Sequence, residues 1–140
     1  MKLVKYILFA VFISLLMFSC KKEDPILCES DPRLPALGSY TMIDSVYFLG
    51  EFSDTLSYPF KIILDSLEGD TILLEDMFGP QFILDIKANY NSDSGDFIMV
   101  PTPDGNATVT GSGNISGGSM RYTASYSDGG YSFIGNGVKE

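Results

Sequence analysis

Residues 56–65 read Leu-Ser-Tyr-Pro-Phe-Lys-Ile-Ile-Leu-Asp, and their alternation decides the fold class. Leu56, Tyr58, Phe60, Ile62 and Leu64 share one face of an extended strand, while Ser57, Pro59, Lys61 and Asp65 share the other. Successive side chains of a strand point to opposite faces, so this pattern predicts a half-buried strand with its apolar row turned inward. A slip of one residue would turn the whole row to water, which fixes the register.

The same pattern recurs on both sides. Phe82, Leu84, Ile86, Ala88 and Tyr90 alternate with Gln81, Asp85, Lys87 and Asn89. Met120, Tyr122, Ala124 and Tyr126 alternate with Arg121, Thr123 and Ser125. Less regular strands are expected over 39–48, 71–78, 97–101, 107–116 and 131–138, although Ile72 to Phe78 also fits a helical turn. Between them lie Glu68-Gly69-Asp70, Gly79-Pro80, Asn91 to Gly95, Pro101 to Asn106, Gly117-Gly118 and Asp128-Gly129-Gly130, residue types that supply turn backbone angles.

Eight short strands joined by short turns predict an all-β antiparallel meander with no helix in the body. Its open edges need protection, and closing the sheet into an eight-stranded up-and-down barrel removes them. Gly111, Gly113, Gly135 and Gly137 fall inside two strands, where glycine often marks a barrel corner, so the barrel is preferred to a two-sheet β-sandwich. The body opens at Gly38-Ser39-Tyr40 and carries Thr110-Gly111-Ser112-Gly113-Asn114-Ile115-Ser116-Gly117-Gly118 before its penultimate strand. On these residues, 38–140 resembles a small lipocalin-like (calycin) domain, a resemblance that implies the same barrel and little about a ligand.

The N-terminus has a different character. Lys2 and Lys5 precede a run from Tyr6 to Phe18 interrupted only by Ser14. A spanning helix needs about 20 apolar residues, so this run is short for a membrane span and has the form of a secretory signal. Ser19-Cys20 at its end resembles the bacterial lipoprotein signal, which implies cleavage after residue 19 and lipidation of Cys20. Several acyl chains on one cysteine, at about 0.8 kcal/mol per buried methylene, make a firm anchor. Cys20-Lys21-Lys22-Glu23-Asp24 further resembles the Bacteroidota-type export signal, implying the outer face of the outer membrane, with the periplasmic face as the alternative. Residues 20–37 contain Pro25, Pro32 and Pro35 and are expected to form an extended tether. Cys28 within it is either an inert thiol or an intermolecular bridge.

Loss of Lys2 and Lys5 leaves seven basic residues against eighteen acidic ones, a net charge of -11 against -9 for the whole chain. That balance argues against nucleic-acid binding, and none is expected. No histidine is present, which removes the usual general base and commonest metal ligand. Serine therefore has no standard triad, and Asp65, Glu68 and Asp70 gather on one turn instead of flanking a cleft. The loop Asn89 to Asp96 alternates oxygen-bearing side chains, but its glycine falls one place late and Val100 stands where a bidentate Glu belongs. The glycines at 111, 113, 117 and 118 precede no helix and make no phosphate cradle. No enzyme, cofactor or metal site is expected.

Two sets of residues remain. Tyr40, Tyr58, Tyr90, Tyr122 and Tyr126 all fall on inward faces, where they would line a lumen suited to a small apolar or sugar-like ligand, or else fill a solid core. Asp44-Ser45-Val46, Asp54-Thr55-Leu56, Asp65-Ser66-Leu67 and Asp70-Thr71-Ile72 resemble the O-glycosylation acceptor triplet of Bacteroidota-type exported proteins, implying Ser45, Thr55, Ser66 and Thr71 as acceptors; turn residues at strand ends produce the same triplets by chance. The expectation is a lipid-anchored envelope protein that binds a small ligand in its barrel, or a structural or accessory surface protein that acts through a protein partner.

Overall fold

The computed structural model describes residues 31–66 and 69–140. The signal 1–19, Cys20 and Cys28 lie outside the described residues. Alternating burial runs through nearly every strand that follows: β1 (Gly38–Phe48), β2 (Glu51–Leu64), β3 (Thr71–Met77), β4 (Leu84–Tyr90), β5 (Asp96–Met99), β6 (Thr102–Asp104), β7 (Ala107–Ser116), β8 (Ser119–Tyr126) and β9 (Tyr131–Lys139).

All pairings are antiparallel. The order β5-β4-β3-β2-β1-β9-β8-β7-β6 is closed by a further pairing of β5 with β7. β5 and β6 lie end to end along β7, at Asn114 to Ser112 and at Val109 to Ala107, so they share one position in the ring. Pro101, which has no N–H to donate, falls at the break between them. The result is a closed eight-stranded antiparallel barrel, and the sandwich alternative falls with that closure. The segment 71–77 is strand, with a bulge between Leu74 and Met77, and not a helical turn.

Three boundaries differ from those predicted. β2 begins at Glu51, five residues before Leu56, because its first half pairs with β1 alone and stands in water on both faces, so no alternation marks it. Phe82 leaves the strand register: its N–H donates to the Gly79 carbonyl in a turn, and its ring packs 5.0 Å from Tyr131. A short 3-10 helix, Leu34–Ala36, precedes β1, and the compact unit begins at Pro32. Ala36 is fully buried, Arg33 is 3% exposed and donates to the Thr71 carbonyl, and Lys139 Nζ donates to the Pro35 carbonyl. Residues 32–37 therefore belong to the barrel unit and shorten the tether predicted over 20–37.

The glycines inside β7 and β9 serve close approach more than bending. A Cβ on Gly135 would stand 2.0 Å from Tyr122 Cε1, and one on Gly137 would stand 2.1 Å from Met42 Sδ. Gly113 lies under Phe97 and Gly111 under Met99 in the same way. In three of these four pairs the large residue stands directly opposite the glycine on the neighbouring strand. Bare backbone on one strand thus makes room for bulk on the next.

Candidate functional site

The inward row of β1 reads Tyr40, Met42, Asp44 and Val46, and it places one carboxyl group in the middle of an apolar interior. Asp44 has no exposed surface. Tyr58 of β2 donates its hydroxyl to Asp44 Oδ2 at 2.6 Å, and the Tyr122 hydroxyl of β8 donates to the same oxygen. The two phenol oxygens are 3.3 Å apart. Asp44 Oδ1 has no hydrogen-bond partner.

Local backbone builds this cluster. Gly135 faces Asp44 across the β1–β9 ladder, and a Cβ there would lie 2.6 Å from Asp44 Oδ1. At the end of β3 the bulge contains Asp76 with φ of 60°, and the turn after it has positive φ at Phe78 (67°) and Gly79 (72°). That turn brings the Phe78 N–H to the Tyr58 hydroxyl oxygen at 3.0 Å and stacks the Phe78 ring on Phe133 at 4.3 Å. Non-glycine residues in the left-handed region are strained, and such strain gathers at sites where the surroundings over-determine the backbone.

Burial pushes the Asp44 carboxyl above its ordinary range, and the two tyrosine bonds only partly offset it. Burial likewise raises Tyr58 and Tyr122, followed by the Asp44 charge for Tyr58 and by the Tyr58 and Asp44 charges for Tyr122. The arrangement can hold a proton, but it gives a substrate no access. A cleft of about 340 Å³ lies on the outer side of Tyr58, between Pro59, Asp76, Pro80 and Ile83.

All five tyrosines singled out in the sequence are buried, and the barrel brings the hydroxyls of Tyr58 and Tyr122 together on Asp44 but does not gather all five in one place. Tyr40 donates to the Ala36 carbonyl at 2.8 Å, and burial, followed by the nearby Tyr90, pushes its phenol up to about 12. Tyr126 donates to Asp104 Oδ2 at 2.6 Å. Tyr90 borders an open cleft of about 600 Å³ lined by Asp70, Asn91, Asp93, Asp96 and Ile98. Four of the five hydroxyls are thus engaged by the protein itself, among close-packed rings and thioethers. Asp44 was missed as an interior residue because it also opens a Ser/Thr triplet, although its parity with Tyr40 and Met42 points inward.

The four acceptor candidates also separate. Ser45 is half-buried in the outer face of β1, between β2 and β9. Thr71 is half-buried and its hydroxyl donates to Asp65 Oδ2 at 3.4 Å. Ser66 is exposed after β2, and Thr55 is exposed on the stretch of β2 that pairs with β1 alone. The loop weighed for calcium closes on itself: Asn91 Oδ1 accepts the N–H groups of Asp93 and Ser94, and Asn114 donates to Asp96 Oδ1. Among the described residues, no group of three or more carboxylates or thiols is placed to hold a metal ion.

Outside the barrel, large apolar side chains gather at the β1–β2 turn. Leu49 is 70% exposed and Phe52 is 62% exposed, with Phe48 beside them. Phe48 packs tilted against Tyr131 at 5.0 Å, and Tyr131 in turn meets Phe82 edge-on at 5.0 Å. These rings close one end of the barrel, and the Leu34–Ala36 helix packs at the other. Comparison of the chain with family models, with curated proteins and with solved structures returns no match.

Proposed function

We propose that this chain is a non-enzymatic, lipid-anchored lipoprotein of the cell envelope, lipocalin-like in body, that works through a protein partner. Its anchor is Cys20 and its station is the outer face of the outer membrane. The observation that carries the partner reading is the contrast between inside and outside: Tyr58 and Tyr122 both donate to Asp44 Oδ2 among buried side chains where a lumen ligand would sit, while Leu49 and Phe52 stand in water. Eight strands enclose just enough room for side chains to fill, and a large apolar cluster left exposed marks an interaction surface. Among the described residues, the small-ligand reading is left with open clefts such as those beside Tyr58 and Tyr90. Among the acceptor triplets, Thr55 is the one this reading favours, since it is exposed on extended chain.

Growth of the native host with labelled palmitate tests the anchor: the chain takes the label and the Cys20→Ser variant does not. Protease shaving of intact cells degrades the body if it faces outward and spares it if it faces the periplasm. Native mass spectrometry of the membrane-extracted protein checks the rest. The expected mass is the lipidated chain, with any glycan, and no small molecule retained. A stoichiometric bound ligand would overturn the partner reading.

A further inference from the structure

We propose that the β1–β2 hairpin tip, Phe48 to Phe52, is a preformed docking element for a protein whose surface offers an apolar cleft rimmed by Lys and Arg. This inference rests on the partner reading above and names its site and chemistry.

Leu49 and Gly50 form a two-residue turn with φ of 52° and 83°, both left-handed. That geometry suits the right-handed twist of a hairpin and belongs to Asn-Gly or Asp-Gly; leucine tolerates it poorly. A leucine there opposes stability twice, through its backbone and through the apolar surface it holds in water. The tip is nevertheless held in place. The Leu49 N–H donates to the Gly130 carbonyl at 2.9 Å, the Phe48 ring packs on Tyr131, and the Phe52 ring meets Tyr47 at 5.9 Å. Rigid aromatic and aliphatic anchors lose little conformational freedom when they enter a cleft, which is what makes such residues dominate binding.

Charge selects the occupant. Glu51, Asp104 and Asp128 lie at this end, on or next to the turns of the β1–β2, β6–β7 and β8–β9 hairpins, and Asp54 lies a few residues into β2, opposite Val46. The described basic residues are committed toward the opposite end: Lys61 stands opposite Ser39 and Glu75, Arg33 and Lys139 hold the segment before β1, Lys87 pairs with Asp65, and Arg121 lies in the first turn-proximal residues of β8. An apolar tip ringed by acids is repelled by anionic lipid headgroups and by a second copy of itself. A cationic rim attracts it and steers the encounter.

The test places the photo-crosslinking residue benzoylphenylalanine, in the full-length chain within its native host, at Leu49 and separately at two exposed apolar control positions, Ile98 and Val138. The expected result is one discrete protein adduct from position 49, whose cross-linked partner peptide is apolar and flanked by Lys or Arg. The double reversal Glu51→Lys with Asp54→Lys is expected to cut the adduct at least tenfold. Leu49→Asn, which suits the turn and does not lower the Tm, is expected to cut capture from a cross-linker at Phe52 by a similar factor. Adducts from Ile98 or Val138 and none from Leu49 overturn the tip and leave the partner reading standing. No adduct at any of the three positions overturns both. An adduct on phospholipid or on a second copy, or one indifferent to the charge reversal, overturns the chemistry proposed here.

Discussion

The barrel is held in two different ways on its two sides. From β7 through β8, β9 and β1 to β2, neighbouring strands share eight, seven, nine and eleven residue pairs. From β2 through β3, β4 and β5 back to β7, they share four, five, three and three. The long-laddered side contains the inward glycines and the buried Asp44. The short-laddered side contributes Ile72, Leu74, Met77, Phe78, Ile86 and Phe97, all buried. Where backbone hydrogen bonds are many, bare glycine and a buried carboxyl are tolerated; where they are few, bulky side chains must close the ring.

The largest expected effect falls on the short-laddered side. Phe78 has no exposed surface, stacks on Phe133 and spans the seam beside Tyr58. Phe78→Ala removes the ring and leaves a cavity, at a cost of about 3–5 kcal/mol for a large-to-small aromatic change. Urea unfolding should show that loss, and amides of β3 to β5 should exchange before those of β8 and β9. A loss well under that range would mean the seam is not held by side-chain burial. On the other side, Gly135→Ala drives a methyl into Tyr122 and Asp44, with an expected cost of about 1–3 kcal/mol from overpacking. If that variant melts like the parent, the glycines are not there for close approach.

The Asp44 site supplies a sharper test through pH. Its carboxyl is raised above the ordinary value of 3.8, so the folded state binds that proton more tightly than the unfolded chain does. Its contribution to stability is therefore full below the ordinary value and declines as pH rises from there through the folded pKa. Asp44→Asn removes this decline, and the stability difference between parent and variant should shift toward the variant across that window. A constant difference would show that Asp44 does not titrate there. Tyr40, raised from 10.0 to about 12, works in the same sense at alkaline pH. It supports the fold below pH 10 and ceases to do so as pH approaches 12, so tyrosinate absorbance should rise together with unfolding.

Much of this contrast was legible in the sequence. Alternation in 56–65, 82–90 and 120–126 located the strands of both sides, because one face is buried and the period is two. It could not show how many pairs each ladder makes, since pairing length depends on which strands meet. The role of the glycines was hidden for the same reason: Gly135 is explained only by Tyr122, which stands opposite it in a register that the sequence does not print. The first half of β2 gave no signal because both of its faces meet water. Asp44 is legible by parity with Tyr40 and Met42, but it also opens a Ser/Thr triplet of the kind that marks strand ends, and that pattern hides its place in the interior.

The smallest expected effect carries the most information about function, and it concerns the hairpin tip of the long-laddered side. Leu49→Asn exchanges a residue that resists the left-handed region for one that enters it readily, and it withdraws an exposed side chain from water. Nothing buried is disturbed, since the Leu49 N–H bond to Gly130 is a backbone bond that asparagine keeps. The expected result is a gain of about 0.5–1 kcal/mol, read as a small rise in Tm, the scale of relieving one strained residue. A fall in Tm would mean that Leu49 packs against the body and belongs to its core. A rise would mean that the barrel gives up stability to hold that leucine in water, and a side chain kept at such a cost has its purpose outside the barrel.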